Sequence, residues 1–421
     1  MRIKVEGGHA LNGTYTPSGS ANAAAACLAA ALMTPHPVTL SNVPNTNSTA
    51  ALLQLAHTLG AEINGGSGDV PHELISEQIT KRHLTPATTG GMVGGMLFVA
   101  PILARRAFLR LEVDFPLSRV RTHLEALRDL KQDVVTSRGA IEVNAVRWDN
   151  ADVLLSQTSV TATGMVMMLA VALGRETIIR NAASEPHVQA LGKMLTLMGA
   201  SIDGLGSNTL TVYGQRELVG AHMAIPADHI EAAAAAGLIA LSGGRGQVHG
   251  VPHDSLRMIA RVYKRFGLNL DLDFNDVFVP RQEPFSLSNR EEDVDASIES
   301  SPWPGFPSDL LPLATVIATQ AHGTSLIHEK MFNNRLLFVD KLNAMGAQIV
   351  LCDPHRAIVV GRSPLTGIYM DTPDVRAGLA LLGAALIADG TSTIDNAQVI
   401  GNVFEDAIGK VQRLGATIHG D

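Results

Sequence analysis

At 421 residues, with 46% hydrophobic and 17% charged side chains, the chain is long enough for two domains with full cores and too apolar to be disordered. A net charge of −8 argues against general affinity for nucleic acid or anionic membranes, while a local basic cleft can still bind an anion. Two cysteines far apart in sequence, Cys27 and Cys352, argue against a disulfide framework. They point to a reducing cytoplasm and to small core residues rather than nucleophiles.

The first residues, Met1-Arg2-Ile3-Lys4-Val5, alternate as a strand does and lack the apolar run of a signal peptide. Asn22 opens a predicted helix Ala23–Met33 and can serve as its N-cap. A second helix over Ala51–Leu59 closes on Leu59-Gly60-Ala61, followed by a short alternating strand, Ala61-Glu62-Ile63. The run Thr88-Thr89 with Gly90–Gly95 has the glycines of a phosphate-cradling loop, yet equally allows close packing of the apolar helix that follows. The apolar stretches Met92–Ala104 and Val375–Ala388 fall short of the ~20 residues of a membrane span and are expected as buried helices. Arg105, Arg106, Arg110, Arg119, Arg121 and Arg128 form a basic group that is either a solvated face or an anion site. The segment Asn289–Pro307, with Glu291, Glu292, Asp293 and Asp295, is the most loop-like part of the chain. Asp309 follows Phe-Pro-Ser and precedes the apolar run Leu310–Ile317, so it is expected in the first turn of a helix with Ser308 as N-cap. None of the 15 histidines has metal-ligand spacing, and no metal is expected.

The helix-closing signature recurs. After Leu59-Gly60-Ala61 come a degenerate Leu130-Lys131-Gln132, then Met198-Gly199-Ala200, Phe266-Gly267-Leu268, Met345-Gly346-Ala347 and Leu414-Gly415-Ala416. The spacing is roughly 70 residues, longer than solenoid repeats. In each copy an amphipathic helix such as Val339–Met345 ends on a residue suited to the left-handed C-cap, and a strand such as Ala347–Val350 follows. Six copies imply two pseudo-symmetric domains of three units each, and ligands favour the cleft between such domains.

Several segments resemble the enolpyruvyl transferases, within them the bacterial UDP-N-acetylglucosamine enolpyruvyltransferases. They are Pro17-Ser18-Gly19-Ser20-Ala21-Asn22-Ala23-Ala24, Asn42-Val43-Pro44, Asn181-Ala182-Ala183-Ser184-Glu185-Pro186, Phe306-Pro307-Ser308-Asp309, Phe332-Asn333-Asn334-Arg335 and Asp374-Val375-Arg376-Ala377. The resemblance runs from Val5 to the C-terminus. It implies an α/β fold of two inside-out barrels, helices inside and sheets outside, built from six βαβαββ-type pseudo-repeats. By analogy one domain comprises residues 1–21 with 228–421, and the other residues 22–227.

The implied chemistry is transfer of the enolpyruvyl group from phosphoenolpyruvate to a hydroxyl of a nucleotide- or sugar-type acceptor, with release of phosphate. Such a reaction needs cations for phosphate and carboxylate and a carboxylate for the hydroxyl proton. It implies a small-molecule substrate, no cofactor, no nucleic-acid or membrane partner and a cytoplasmic location, and it leaves the oligomeric state open. Asp309 matches the family's acceptor-facing aspartate. Asn22, Glu185, Arg335, Asp374 and Arg376 also match, and Ser159 and Thr161 fall on its acceptor-binding segment.

Departures concentrate in the anion-binding set. The family's lysine after Ser-Gly-x is Ala21, and two of its arginines fall on Ser118 and Asn402. Another arginine falls on Val93 and a lysine on Gln157, and the family's mobile loop shrinks to Glu112–Pro116 without a cysteine. Arg119 and Arg121 lie next to the lost arginine as replacement cations. The expectation is therefore an enolpyruvyl transferase with an altered donor site. The alternatives are a fold redirected to a phosphoenolpyruvate-independent reaction, or a non-catalytic ligand-binding homologue.

Overall fold

A computed structural model describes residues 1–66, 70–89, 93–287 and 297–420 of the chain. Gly90, Gly91 and Met92 of the glycine-rich run, and the acidic cluster Glu291, Glu292, Asp293 and Asp295, lie outside the described residues. Two compact units are present, Met1–Ser18 with Ala227–Asp421, and Gly19–Pro226. The chain thus crosses after Ser18 and after Pro226, rather than after residues 21 and 227.

Both units follow one plan. Each has three four-stranded sheets, and every sheet has the same pairing order: a first strand parallel to the second, then two antiparallel partners. The sheet Asn150–Leu154, Glu176–Arg180, Thr209–Tyr213, Ser201–Asp203 repeats as Ser297–Glu299, Gly323–His328, Arg356–Gly361, Gln348–Asp353 in the other unit. Strands alternate burial, as in Thr209–Tyr213 and Arg356–Gly361, because one face covers the core and the other meets water.

The core of each unit is a set of helices apolar on nearly all sides, the pattern of a fully buried helix. In the first unit these are His229–Leu241, Leu311–Gln320 and Val375–Ile387, which pack on one another. In the second they are Ala21–Ala31, Val160–Leu173 and Val99–Arg106, the last continuing a 3-10 turn Val93–Phe98. Small residues allow the close approach: a Cβ on Gly383 would meet Leu238 at 2.8 Å. Helices inside and sheets outside follow directly from these two burial patterns. No helix among the described residues is long and apolar enough to cross a membrane.

All six signature sites adopt one conformation. Gly60, Gly199, Gly267, Gly346 and Gly415 have φ of 106°, 101°, 84°, 110° and 110°, and Lys131 has φ 59°. At every site the N–H of that residue bonds the carbonyl three positions back, and the next N–H bonds the carbonyl five back, as in Lys131 to Arg128 and Gln132 to Leu127. Lys131 therefore carries a side chain where its five equivalents carry none. Lys131→Gly is expected to stabilise the protein by roughly 0.5–1 kcal/mol, since the left-handed conformation costs an L-residue ~1–2 kcal/mol and glycine returns part of that as chain entropy. Denaturant unfolding checks this. Gly199→Ala is the converse control, because its new Cβ would touch nothing within 4 Å and only backbone strain would act.

Cys27 is in the core, where burial pushes its thiol up to about 12. Cys352 is exposed, contrary to the core role expected of it, because it falls on the outer part of the strand Gln348–Asp353.

Candidate functional site

Within the first unit, three separate segments converge on one carboxylate. Asp309 lies in a 3-10 turn, Ser308–Leu310, that runs into the buried helix Leu311–Gln320. Ser308 is not its N-cap as expected. Its hydroxyl instead donates to the carboxylate of Glu329, and the helix start has no side-chain cap. Arg335 follows the left-handed Asn334 (φ 64°) and stacks on the Phe332 ring, 4.2 Å from its centroid. Its terminal nitrogen donates to Asp309 Oδ1 at 2.7 Å. Arg376 sits in the first turn of Val375–Ile387 and its ε N–H donates to the same Oδ1.

Asp374 is the N-cap of that helix, accepting from the backbone N–H groups of Arg376 and Ala377 at 2.8 and 3.1 Å. The neighbouring Asp374 and Arg376 thus serve different ends: the aspartate holds the helix start, and the arginine's side chain is left for Asp309.

Asp309 is 29% exposed, so the cluster is recessed but open to solvent. Burial alone would push its carboxyl up. The charges of Arg376 and Arg335, with their hydrogen bonds, outweigh that and hold it well below the usual carboxylate range. Burial likewise disfavours the Arg376 charge, and the charge and hydrogen bond of Asp309, joined by the charges of Asp374 and Glu329, together more than offset it. Both guanidiniums bond only Oδ1, and among the described residues no group donates to Oδ2. Nor does another acceptor take the remaining N–H groups of Arg335 and Arg376 among the described residues. A free carboxylate oxygen beside two partly spent planar forks suits a hydroxyl and a carboxylate or phosphate on the same ligand. His229, at the start of His229–Leu241, stands edge-on to Trp303 with ring centroids 5.4 Å apart. Burial lowers its pKa to about 4 against a smaller opposing effect of the Asp309 charge, so it is neutral at pH 7.

The second unit gathers another polar group. Ser159 caps Val160–Leu173, accepting from Ala162 N–H. The Thr161 hydroxyl bonds His123 Nε2 at 2.8 Å. His123 is 2% exposed, its Nδ1 lacks a partner among the described residues, and burial lowers its pKa to about 4. Arg121 is spent on Glu125, one turn along the helix Arg121–Asp129 at 2.7 Å, with the arginine side chain 75% exposed. Arg119 is exposed and its side chain makes no ion pair among the described residues.

Of the rest of the expected basic group, Arg128 is exposed and the other three are structural. Arg105 donates to the carbonyls of Leu32, Thr34, Ser76 and Glu77, Arg106 to Ile79, and Arg110 to Glu112 and Glu142. Asn22 is exposed in the first turn of Ala21–Ala31, and the N-cap is Ser20 rather than Asn22. Glu185 occupies the N-cap position of Pro186–Leu197 without capping it through its side chain.

Sequence reading passed over Glu329, His123 and His229. The repeat itself holds the signal for Glu329, because four of the five other copies, Asn42, Asn181, Asn396 and Gly250, carry asparagine or glycine at that corner. The two histidines have only local sequence around them, and their burial is a product of the fold.

The model of the family described as EPSP synthase (3-phosphoshikimate 1-carboxyvinyltransferase) matches residues 5–411. The chain belongs to this family of enolpyruvyl (carboxyvinyl) transferases. It is 40% identical to the UDP-N-acetylglucosamine 1-carboxyvinyltransferase of Bradyrhizobium diazoefficiens over 98% of this chain and 96% of that protein. It is 38% identical to the enzyme of the same name from Borreliella burgdorferi, over 98% and 97%. Among solved structures, the enolpyruvyl transferase NikO from Streptomyces tendae superposes with a TM-score of 0.88 at 21% identity, covering 99% of this chain and 98% of that one, a likeness of fold.

Proposed function

We propose that this protein transfers an enolpyruvyl group from phosphoenolpyruvate to a hydroxyl of a nucleotide- or sugar-type acceptor, through a donor site that differs from the family pattern. The observation that carries the reading is the arrangement at Asp309: one oxygen clamped by Arg335 and Arg376, the other open. In the reaction the acceptor oxygen bonds the enol carbon, the carbon–phosphate oxygen bond breaks, phosphate leaves, and the hydroxyl proton passes toward Asp309 Oδ2. A carboxylate held so acidic is a weak base in the free protein. A substrate anion that draws the two guanidiniums to itself raises its basicity at the moment the acceptor is in place. Asn22, Arg119, Ser159, Thr161 and Glu185 are assigned to substrate contacts, as is Arg121 once a substrate anion draws it from Glu125, with Asp374 acting through the helix start that presents Arg376. The name shared by the 40% and 38% identical relatives makes UDP-N-acetylglucosamine the first acceptor to try.

Incubation with phosphoenolpyruvate and UDP-N-acetylglucosamine or simple nucleoside monophosphates, followed by phosphate release and product mass, tests the reading. Release that depends on both substrates supports it. No release with any acceptor sinks it.

The donor substitutions set a further expectation. With Ala21, Ser118 and Asn402 in place of three cations, phosphoenolpyruvate alone binds weakly or not at all, since each charge-assisted hydrogen bond is worth about 1.5–3 kcal/mol. Calorimetry checks this, and micromolar affinity at physiological salt refutes it. The same three substitutions favour a second reading, in which the fold serves a reaction without phosphoenolpyruvate. Ligand binding and acceptor turnover that are both indifferent to phosphoenolpyruvate would select it.

A further inference from the structure

At the corners of the sixfold repeat one residue is a buried carboxylate, while the sixth unit, after Phe108–Glu112, has Val113 there. In three units the corner after the second strand is an asparagine in the left-handed conformation: Asn42, Asn181 and Asn396, with φ of 54°, 56° and 57°. Each side-chain amide donates to the carbonyl just past the neighbouring parallel strand, to Ile225 at 2.7 Å, Leu155 at 2.9 Å and Thr372 at 2.9 Å. The N–H of that same residue returns a bond to the last carbonyl of the second strand, Ile225 to Ser41, Leu155 to Arg180 and Thr372 to Asp395. A fourth unit closes the corner with Gly250 at φ 79°.

The unit that holds Asp309 keeps the same backbone hydrogen bond, with Ser300 N–H bonded to the His328 carbonyl at 3.0 Å. Its corner residue is Glu329, fully buried and outside the left-handed region. Glu329 Oε1 accepts the Ser300 hydroxyl at 2.7 Å and the backbone N–H groups of Met331 and Phe332 at 2.8 and 3.1 Å. Its Oε2 accepts the Ser308 hydroxyl. One neutral hydrogen bond suffices to close this corner elsewhere, and a buried carboxylate is costly unless its partners are all in place. Closing the corner therefore does not account for Glu329.

Its extra bonds do. Ser308 precedes Asp309 in the chain, and Met331 and Phe332 begin the loop whose Phe332 ring carries Arg335. Asp309 and Arg335 come from different segments, and Glu329 is bonded to a neighbour of each, Ser308 in one and Met331 and Phe332 in the other. We propose that Glu329 is a positioning residue that sets Asp309 and Arg335 in register. The link to turnover rests on the transferase reading above; the link to geometry does not.

Two variants separate the roles. Glu329→Gln keeps the length, with its oxygen able to accept three of the bonds and its amide able to donate to the Ser308 hydroxyl. Glu329→Asn installs the residue of the equivalent corners but is one methylene too short to reach Ser308. Phenylglyoxal labelling of the ligand-free protein, read by mass spectrometry, reports Arg335, with exposed Arg119 as internal standard. Arg335 is expected to label several-fold faster in Glu329→Asn, to stay near the parent rate in Glu329→Gln, and Arg119 to stay unchanged in both. In turnover, Glu329→Asn is expected to lose about 100-fold in kcat with a small change in acceptor KM, the size of effect a ~1 Å misplacement produces, and Glu329→Gln to recover most of it.

Unchanged Arg335 labelling in Glu329→Asn overturns the inference, as does faster labelling of Arg335 and Arg119 alike, which marks general loosening. An equal loss in the two variants also overturns it. If the parent protein shows no transfer at all, the transferase reading falls, while the labelling contrast still decides the positioning role.

Discussion

Asp309→Asn is expected to lower turnover by about 10²–10⁴-fold, the usual contribution of a positioned acid–base group. The loss comes with a moderate drop in stability. A first-turn aspartate acting only on a helix dipole contributes ~0.3–1 kcal/mol, but here Asp309 also separates two guanidiniums on a single oxygen. Hydrogen bonds to charged groups raise the expected cost to about 1–3 kcal/mol, held down by the partial exposure of all three side chains. Steady-state rates and a melting curve on the same variant check both parts. Unchanged turnover with a large fall in melting temperature would make Asp309 a structural residue and remove the main support for catalysis. Its acidity has a further consequence. A carboxyl with a depressed folded pKa contributes stability above its unfolded value of about 3.9, and that contribution fades only as pH falls through the lower folded value. Parent and Asn variant therefore converge in stability only under strongly acidic conditions.

Mild acid is expected to weaken both units through His123 and His229. Each is buried, one in each unit, and each has its pKa lowered by burial from about 6.5 to about 4. The unfolded chain then binds more protons than the folded one between these values, so stability rises with pH across that window. It is fully present above pH 6.5 and lost as pH falls toward 4. At pH 5 the loss is about 2 kcal/mol for each histidine relative to pH 7.5. Denaturant unfolding at the two pH values measures it. His123→Gln and His229→Gln should each flatten the dependence by about that amount, as neither replacement titrates. An unaltered slope in both variants would place the acid sensitivity in other groups.

The repeat and the family were legible in the chain itself. Five glycines and Lys131 mark helix ends that need a left-handed residue, and that need is decided within one helical turn. The apolar run Val375–Ala388, expected as a buried helix, is seen as Val375–Ile387, again a local property of composition. Motifs such as Phe306–Asp309 and Asp374–Ala377 placed Asp309, Arg335 and Arg376 among the candidates one by one.

What each side chain does with its neighbours was decided by the tertiary structure. Asp374 and Arg376 stand two residues apart in sequence, but the left-over amides of a helix start claim the aspartate and Asp309, 67 residues away, claims the arginine. Ser308 looks like a cap and is drawn instead to Glu329 across 21 residues. Asn22 loses the capping role to Ser20, because the helix begins earlier than its apolar residues suggest. Helix ends and burial stripes depend on interactions within a few residues and so are written in the order of the amino acids. Hydrogen-bond partners for a buried charge depend on which strands and turns meet in space, and that is set only when the six sheets close around their helices.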